Sequence, residues 1–389
     1  MPHADFDIVI SGAGPTGCAL ALLLAQKTRR PERIAVVGPS PGATGNRDSA
    51  APTDPRTLAL NYGSQALLAG LQAWPEAVAP ITTVHVSQQG RLGRTLITPH
   101  ELNVPRLGSV VAYDTLLHAL QHALDQSGVT RLNDTVTDRE LIGQGEQLRL
   151  TTHQGRHTCL VLIQSDGRKP HGIRRDYDQQ ALLVTVRASQ ARSGWAFERF
   201  TREGPLAILP HPSHDDAYGV VWCGRPQTIN TLSTLDDTAL QARLGEQFGS
   251  RLGTLTPVSP RHVYPLSMYA GPSLTAARQA AIGNAAQTLH PVAGQGLNLG
   301  LRDAAQLANS LAGWLQHPCT DPHPHLQQFA GQRQADRWIT GAITDTLPRI
   351  FTTRQPAVEH ACGLALLSLD MLPTLRTPLA RHLLQGFRH

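Results

Sequence analysis

Residues 284–300 read Asn284-Ala-Ala-Gln-Thr-Leu-His290-Pro291-Val-Ala-Gly294-Gln295-Gly296-Leu-Asn298-Leu-Gly300. Gly294, Gln295 and Gly296 stand just before a helix expected to start near Asn298. A helix N-terminus carries partial positive charge and exposed N–H groups, and glycines there let backbone lie close against a ligand. The stretch is ambiguous on its own. Far upstream, Gly12-Ala-Gly14-Pro-Thr-Gly17 follows the apolar run Phe6 to Ile10, and a Ser-Asp166-Gly167 step lies between the two. Together the three segments predict one dinucleotide held by distant parts of one chain.

The first loop is the sharper signal because of its setting. Phe6 to Ile10 reads as a buried strand, Thr16 to Lys27 as a helix and Arg33 to Val37 as a second strand, which is a βαβ unit. Gly12 permits the tight turn, Gly14 lets the backbone approach a pyrophosphate, and Gly17 lets helix and strand pack closely. The acidic residue that usually ends the second strand and holds the ribose is absent. Gly38 stands there, and Glu32 lies on the wrong side of the strand, which leaves the adenosine end to backbone groups or Arg47. Aimed at a flavin pyrimidine ring, the helix start after Gly296 would stabilise charge on the reduced ring. Asn284 can hydrogen-bond the ribityl or phosphate end.

With 389 residues and 41% apolar content, the chain can bury two or three domains or one large composite. The net charge of +5 is mild, and its basic residues are scattered with few aromatics among them, which argues against nucleic acid. Cys18, Cys159, Cys223, Cys319 and Cys362 match no metal motif and read as reduced, inert thiols of a cytosolic protein. Asp5 and Asp7 interrupt any signal peptide, and no apolar run reaches the roughly 20 residues of a membrane span. Any membrane contact is therefore expected to be peripheral, at the inner face of the cell membrane.

The expected fold is α/β (α+β): a Rossmann-like dinucleotide domain with an inserted antiparallel-sheet substrate domain and C-terminal helices. Thr57 to Leu71 and Asp114 to Gln126 look helical, His85 to Ile97 reads as a strand pair, and Leu148 to Ile163 reads as strands around Gln154-Gly155. Ala181 to Arg187, Leu206 to Leu209 and Tyr218 to Cys223 are strand-like runs separated by turns. The domain division is 1–178 and 269–347 for the cofactor domain, 179–268 for the inserted sheet, part of which begins near 75–105, and 348–389 for a helical tail. Gly300 to Leu315 and Gln327 to Thr346 are helices. Ala361 to Phe387 reads as apolar turns with Arg376 and Arg381 nearby, fit for a bilayer, a partner protein or the parent domain.

The chain resembles the flavin-dependent aromatic hydroxylases of ubiquinone biosynthesis, and among them the 2-polyprenyl-6-methoxyphenol hydroxylases most. The resemblance is carried by Gly12-Ala-Gly-Pro-Thr-Gly17, Asp54-Pro-Arg56-Thr-Leu-Ala-Leu60, Ile81-Thr-Thr-Val-His-Val-Ser87 and Leu107-Gly-Ser-Val-Val111. It continues through Ala196-Phe-Glu-Arg-Phe-Thr201, Gly204-Pro-Leu-Ala-Ile-Leu-Pro210, Tyr264-Pro-Leu266 and Ile282-Gly-Asn-Ala-Ala-Gln-Thr-Leu-His-Pro291, and ends in Gly294 to Asp303. It implies FAD as cofactor and NAD(P)H as co-substrate. Gly12, Gly14 and Gly17 would hold the pyrophosphate and Arg56 the phosphate or ribityl chain. Asp166 and Gly167 would serve FAD and NAD(P)H, Asn284 would hold the FAD middle, and Pro291 with Gly294 to Gly296 would line the ring. Three positions depart from the pattern: Gly38, Ala112 in place of a glutamate, and Pro170 in place of a serine.

The chemistry that the resemblance implies belongs mostly to the cofactor: NAD(P)H reduces FAD, O2 gives a C4a-hydroperoxide, and oxygen passes to a prenylated phenol. His290 beside Pro291 is a candidate near the ring, or a structural histidine. His211, Tyr218 and Tyr264 are candidates for substrate contact. Glu198-Arg199 reads as a structural ion pair or strand-end contact. Two alternatives remain open here: attack at another ring position or on another phenol, and a flavin-poor scaffold of a ubiquinone-biosynthesis complex.

Overall fold

The computed structural model describes residues 4–39, 54–91, 93–167, 173–271, 274–289, 294–353 and 355–385. The apolar run at the N-terminus forms the central strand, Phe6–Ser11, of the first sheet. It pairs in parallel with Ile34–Val37 on one side and Arg156–Gln164 on the other. Thr130–Leu132 extends the sheet at one side and Gln279–Ala281 at the other, both also parallel. Parallel strands are covered on both faces, which is why these segments read as continuous apolar runs rather than alternating ones.

Helices Pro15–Ala25, Tyr113–Asp125 and Gln295–Leu311 cover one face. Leu20, Leu24, Leu116, Leu120, Leu301 and Leu307 share one buried cluster there. Strands Val136–Ile142 and Gln147–Thr152 fold back over the other face, where Val136, Leu148 and Leu150 bury against Val9 and Val37. The chain thus returns to its first sheet after some 115 residues spent elsewhere.

The excursion is a nine-stranded sheet built around the long strand Ile173–Ala188. Its neighbours are His262–Ala270 on one side and, on the other, Ala217–Gly224, Pro205–Pro210 and Trp195–Phe200, all antiparallel to their neighbours. Trp195–Phe200 then pairs in parallel with Thr83–Gln88, which pairs with Arg94–Ile97. The hairpin at 83–97 therefore belongs to the second sheet, in line with a substrate domain that draws on residues near 75–105.

Strand parity divides this sheet into two faces. Leu182, Val184, Leu206, Ile208, Val220 and Trp222 bury under helices Pro226–Thr234 and Asp237–Phe248. The alternate residues look the other way, into a cavity whose opposite wall includes residues 56–61 and 294–298.

One expectation needs correcting. Thr57 to Leu71 is not one helix. Thr57–Asn61 is a strand paired with Gly108–Ala112, and the helix is Tyr62–Gly70. The Leu and Ala residues favour a helix locally, but ladder pairing to a buried strand overrides that preference. Asn61 caps the helix, accepting from the Ser64 N–H at 2.8 Å. The helices expected at 300–315 and 327–346 are Gln295–Leu311 and His323–Thr352.

The last segments form helices Pro356–Met371 and Pro373–Gln385, fastened to the second sheet. Arg91 pairs with Glu359 at 2.5 Å and Arg376 with Glu101 at 2.7 Å. The Leu96 N–H donates to Asp370 at 3.1 Å, and the Thr95 hydroxyl to the Leu366 carbonyl at 2.6 Å. Phe351 stacks on Phe200 with ring centres 4.0 Å apart. Arg376, in the segment read as fit for a bilayer, a partner protein or the parent domain, is buried in this joint.

Candidate functional site

Three distant segments meet at the C-terminal end of the first sheet. Gly12 turns with φ +121°, and its N–H donates to Val37 O at 2.8 Å. Ser165 holds the turn from the next strand, its hydroxyl within 3.1 Å of the Ser11 and Gly12 carbonyls. The Ser11 hydroxyl donates to the Asp166 carboxylate at 3.0 Å. Gly167, at φ +71°, lies beside Asn284, which is exposed. Gly12, Asp166, Gly167 and Asn284 thus stand together at this end of the sheet.

The glycines of the first loop do different jobs. A Cβ on Gly17 would sit 2.0 Å from the Gly12 carbonyl oxygen, so Gly17 is required by packing. A Cβ on Gly14 would meet nothing within 4 Å, although Gly14 caps helix Pro15–Ala25. Its freedom is therefore toward open space at a helix N-terminus, which fits an anionic pyrophosphate. Gly38 has a steric reason: a Cβ there would come 2.6 Å from that of Ala13. The loop and the second strand touch where related folds keep an acid, so no side chain fits without a shift.

Arg56 lies over the Tyr113 ring at 4.5 Å and pairs with Asp54 at 2.5 Å. The hydrogen bond to Asp54 raises its pKa above the ordinary value, against the opposing effect of burial. Ala112 ends the strand just before Tyr113 and leaves this stack uncrowded.

The late glycine segment is locked to the strand Thr57–Asn61. Gly294, with φ +59°, caps the helix from Gln295, and its Cβ would press on Ala59 at 3.1 Å. Asn298 clamps the two together. Its amide donates to the Ala59 and Gly294 carbonyls at 2.9 and 2.7 Å, and its carbonyl oxygen accepts from Asn61 N–H and the Ser64 hydroxyl at 3.0 and 2.8 Å. Asn298, expected to bind cofactor, has its side chain committed to these four bonds. Gln295 is buried, while Gly296 is exposed and faces open space.

A buried ionic cluster stands behind this turn. Asp303 accepts from the Gly283 N–H at 3.1 Å and pairs with Arg333 at 2.7 Å. Arg333 also pairs with Asp336 at 2.5 Å, and Asp336 with Arg302 at 3.0 Å. Burial lowers the pKa of both guanidiniums. At Arg333 the two carboxylates overcome it, whereas at Arg302 burial prevails.

From this floor opens a cavity of about 750 Å³. Arg56, Asn284 and Gly294 to Asn298 line one end, Leu183, Ala207 and Val221 the sheet wall, and Phe351, Leu366 and Leu369 the far end. Tyr264 lines it. Tyr218 does not. It is 1% exposed on the helix-covered face, its hydroxyl donating to Arg192 O at 2.8 Å and accepting from Arg192 N–H at 2.9 Å. Parity is the reason, since Tyr218 and Val221 point to opposite faces. His211 is not among the lining residues and is bonded to the Ser213 hydroxyl at 2.8 Å. Burial and then nearby His214 lower its pKa. Glu198 and Arg199 also part company: Glu198 lines the cavity, while Arg199 donates to Gln247 O at 2.7 Å. His290, Pro291, Arg47 and Pro170 lie outside the described residues.

Four cysteines are buried, and burial pushes the Cys18 thiol up to about 12, so it stays protonated. Cys319 is exposed.

The fold and the cleft define an FAD-dependent monooxygenase. The family model of the FAD binding domain matches residues 163–320. A solved p-nitrophenol 4-monooxygenase from Pseudomonas putida has the same fold, with TM-score 0.73 and 16% identity over 98% of this chain and 99% of that one. Ubiquinone hydroxylase UbiL of Rhodospirillum rubrum is 31% identical over 97% of this chain and 89% of its own length. The 3-demethoxyubiquinol 3-hydroxylase of Escherichia coli is 28% identical over 97% of each. The chain belongs to the ubiquinone hydroxylase family of flavin-dependent aromatic hydroxylases.

Proposed function

We propose that the protein hydroxylates the aromatic ring of a polyprenyl phenol, of the 2-polyprenyl-6-methoxyphenol kind, in ubiquinone biosynthesis. The carrying observation is the cavity. It is polar at the glycine end, its remaining length is mostly apolar with Glu198, Thr95 and Arg376 as polar exceptions, and it is large enough for a ring plus several prenyl units. FAD, reduced by NAD(P)H, supplies the activated oxygen from O2. Gly12, Gly14, Gly17, Arg56, Asp166, Gly167 and Asn284 would hold FAD, and Gly294 to Gly296 would flank its ring. The sheet wall and the helix Pro356–Met371 hold the ring and tail and keep water away from the reacting carbon.

The purified protein is expected to be yellow and to release FAD in a one-to-one ratio. A short-chain prenyl methoxyphenol should stimulate NAD(P)H oxidation and gain one oxygen. Colourless protein that takes up no added FAD, or a phenol that leaves NAD(P)H oxidation unchanged, would sink the reading. Attack at another ring position, suggested by the Escherichia coli relative, shows as a different isomer of the product.

The source of such a lipid is a bilayer, and the tail helices offer a contact for one. Leu366 and Leu369 of helix Pro356–Met371 face the cavity. Leu364 and Met371 on its other side, and Leu375 beyond, are 63%, 71% and 56% exposed, with Arg381 exposed nearby. Among the described residues no helix is long and apolar enough to cross a membrane. A helix with an exposed apolar stripe and nearby cations lies in the interface instead. Leu364→Asp with Met371→Asp is expected to abolish pelleting with anionic liposomes while FAD content stays the same. Unchanged pelleting would refute the contact. Point changes are preferable to truncation, because the buried ion pairs of these helices hold the substrate sheet.

A further inference from the structure

Glu198 is the one carboxylate among the described residues that line the cavity. Its place is fixed by register. On strand Trp195–Phe200 it lies opposite Val86 on one side and Ala207 on the other, and the row continues through Val221 to Leu183. All four neighbours in that row also face the cavity, and all are apolar. Along the strand, Ala196 packs with Ala59 and Leu107 near the glycine floor, whereas Phe200 packs with Phe351 and Leu366 at the far end. Glu198 therefore stands midway, between the floor where oxygen would be delivered and the apolar length suited to a prenyl tail. Ala196 and Ala207 beside it are small, which leaves room for a planar ring against the wall.

We propose that Glu198 accepts the phenolic hydroxyl of the substrate and so seats the ring between the glycine floor and the tail channel. This rests on the polyprenyl-phenol reading above. A phenol has a single strong donor, its O–H, and the two oxygens of a carboxylate carry about four lone pairs, so Glu198 can accept from it alongside its other contacts. When the proton moves, the O–H bond breaks, the carboxylate oxygen takes the proton, and the electron pair stays on the phenol oxygen. That pair delocalises into the ring and makes its carbons more nucleophilic toward the delivered oxygen. Geometry puts the acceptor within the substrate chamber, which is the first requirement of such a role.

The test uses the FAD-loaded protein and two ligands: a short-chain 2-prenyl-6-methoxyphenol and its O-methyl ether, which has no hydroxyl. Binding is read from the flavin absorbance change, in wild type, Glu198→Leu and Glu198→Gln. Wild type is expected to prefer the phenol roughly tenfold or more, the range of a hydrogen bond to a charged group. Glu198→Leu should erase that preference while the ether binds within about twofold of wild type and FAD content stays whole. Glu198→Gln should keep some of it but shift the bound phenol's ultraviolet band toward that of the neutral form. A preference that survives in Glu198→Leu, or a wild type that binds both ligands equally, overturns the proposal. If Glu198→Leu does not fold, an unshifted band in Glu198→Gln overturns it equally. A wild type that takes up neither ligand fails at the substrate reading itself, and the present inference falls with it.

Discussion

Gly14→Val is expected to give a folded protein that has lost its flavin. Among the described residues, chain neighbours apart, no atom lies within 4 Å of where the new Cβ would stand, and the backbone there is extended, with φ −77° and ψ 176°. Nothing in the protein resists the substitution. The space that valine fills is that in which a pyrophosphate would meet the N–H groups at the start of helix Pro15–Ala25. We expect FAD affinity to fall on the order of 100-fold or more, about 2.7 kcal/mol, with the melting temperature of the FAD-free protein within a degree or two of wild type. Gly17→Val is the contrasting control. Its Cβ meets the Gly12 carbonyl at 2.0 Å, so the strand–helix contact must open. Overpacking of this kind costs roughly 1–3 kcal/mol or more, and here stability and FAD should fall together. Full FAD occupancy in Gly14→Val would mean that the pyrophosphate does not lie on this loop.

Arg333→Ala should have the largest effect on stability. Arg333 is 3% exposed and bonds both Asp303 and Asp336, which are as deeply buried. Its removal takes from Asp303 its ion pair among the described residues and leaves Asp336 paired with Arg302. Breaking a buried pair from one side costs roughly 3–5 kcal/mol. Since Asp303 also anchors the Gly283 N–H at 3.1 Å, the turn that carries Asn284 should loosen too. We expect a fall of several degrees in melting temperature and earlier release of flavin fluorescence on heating. Arg333→Lys should recover part of it, because one cation remains but the fork that reaches two carboxylates is gone. A melting temperature unchanged in Arg333→Ala would show that the cluster does not tie helix His323–Thr352 to the cofactor turn.

What could be read in the sequence was what chemistry or periodicity imposes locally. The spacing of Gly12, Gly14 and Gly17 follows from backbone approach to a phosphate, and it needs no partner to be recognised. The alternation in 181–187 and 217–224 gave the substrate sheet, but not which parity faces the ligand. That is why Tyr218 looked like a substrate residue and Val221 did not. Trp195–Phe200 was missed as a strand because its parallel partner, Thr83–Gln88, lies more than a hundred residues away. Glu198 accordingly looked like half of an ion pair. The helices Pro226–Thr234 and Asp237–Phe248 are rich in Thr, Ser, Asn and Gln, and their few apolar residues make sense only against the sheet they cover. The tail was legible as amphipathic, yet the division between its cavity face and its exposed face is a property of packing.

The cradle proposed for the cofactor draws on residues 12–17, 166–167, 284 and 294–296, and helix Gln295–Leu311 packs directly on helix Pro15–Ala25. The glycine loop is made early, but its lid and its ionic support come some 270 residues later. A nascent chain on the ribosome would therefore expose an unfinished cleft until residues past Arg333 had emerged. Flavin loading belongs to the end of synthesis, and a chain that stalls in the substrate sheet would have no bound cofactor to protect it from proteolysis.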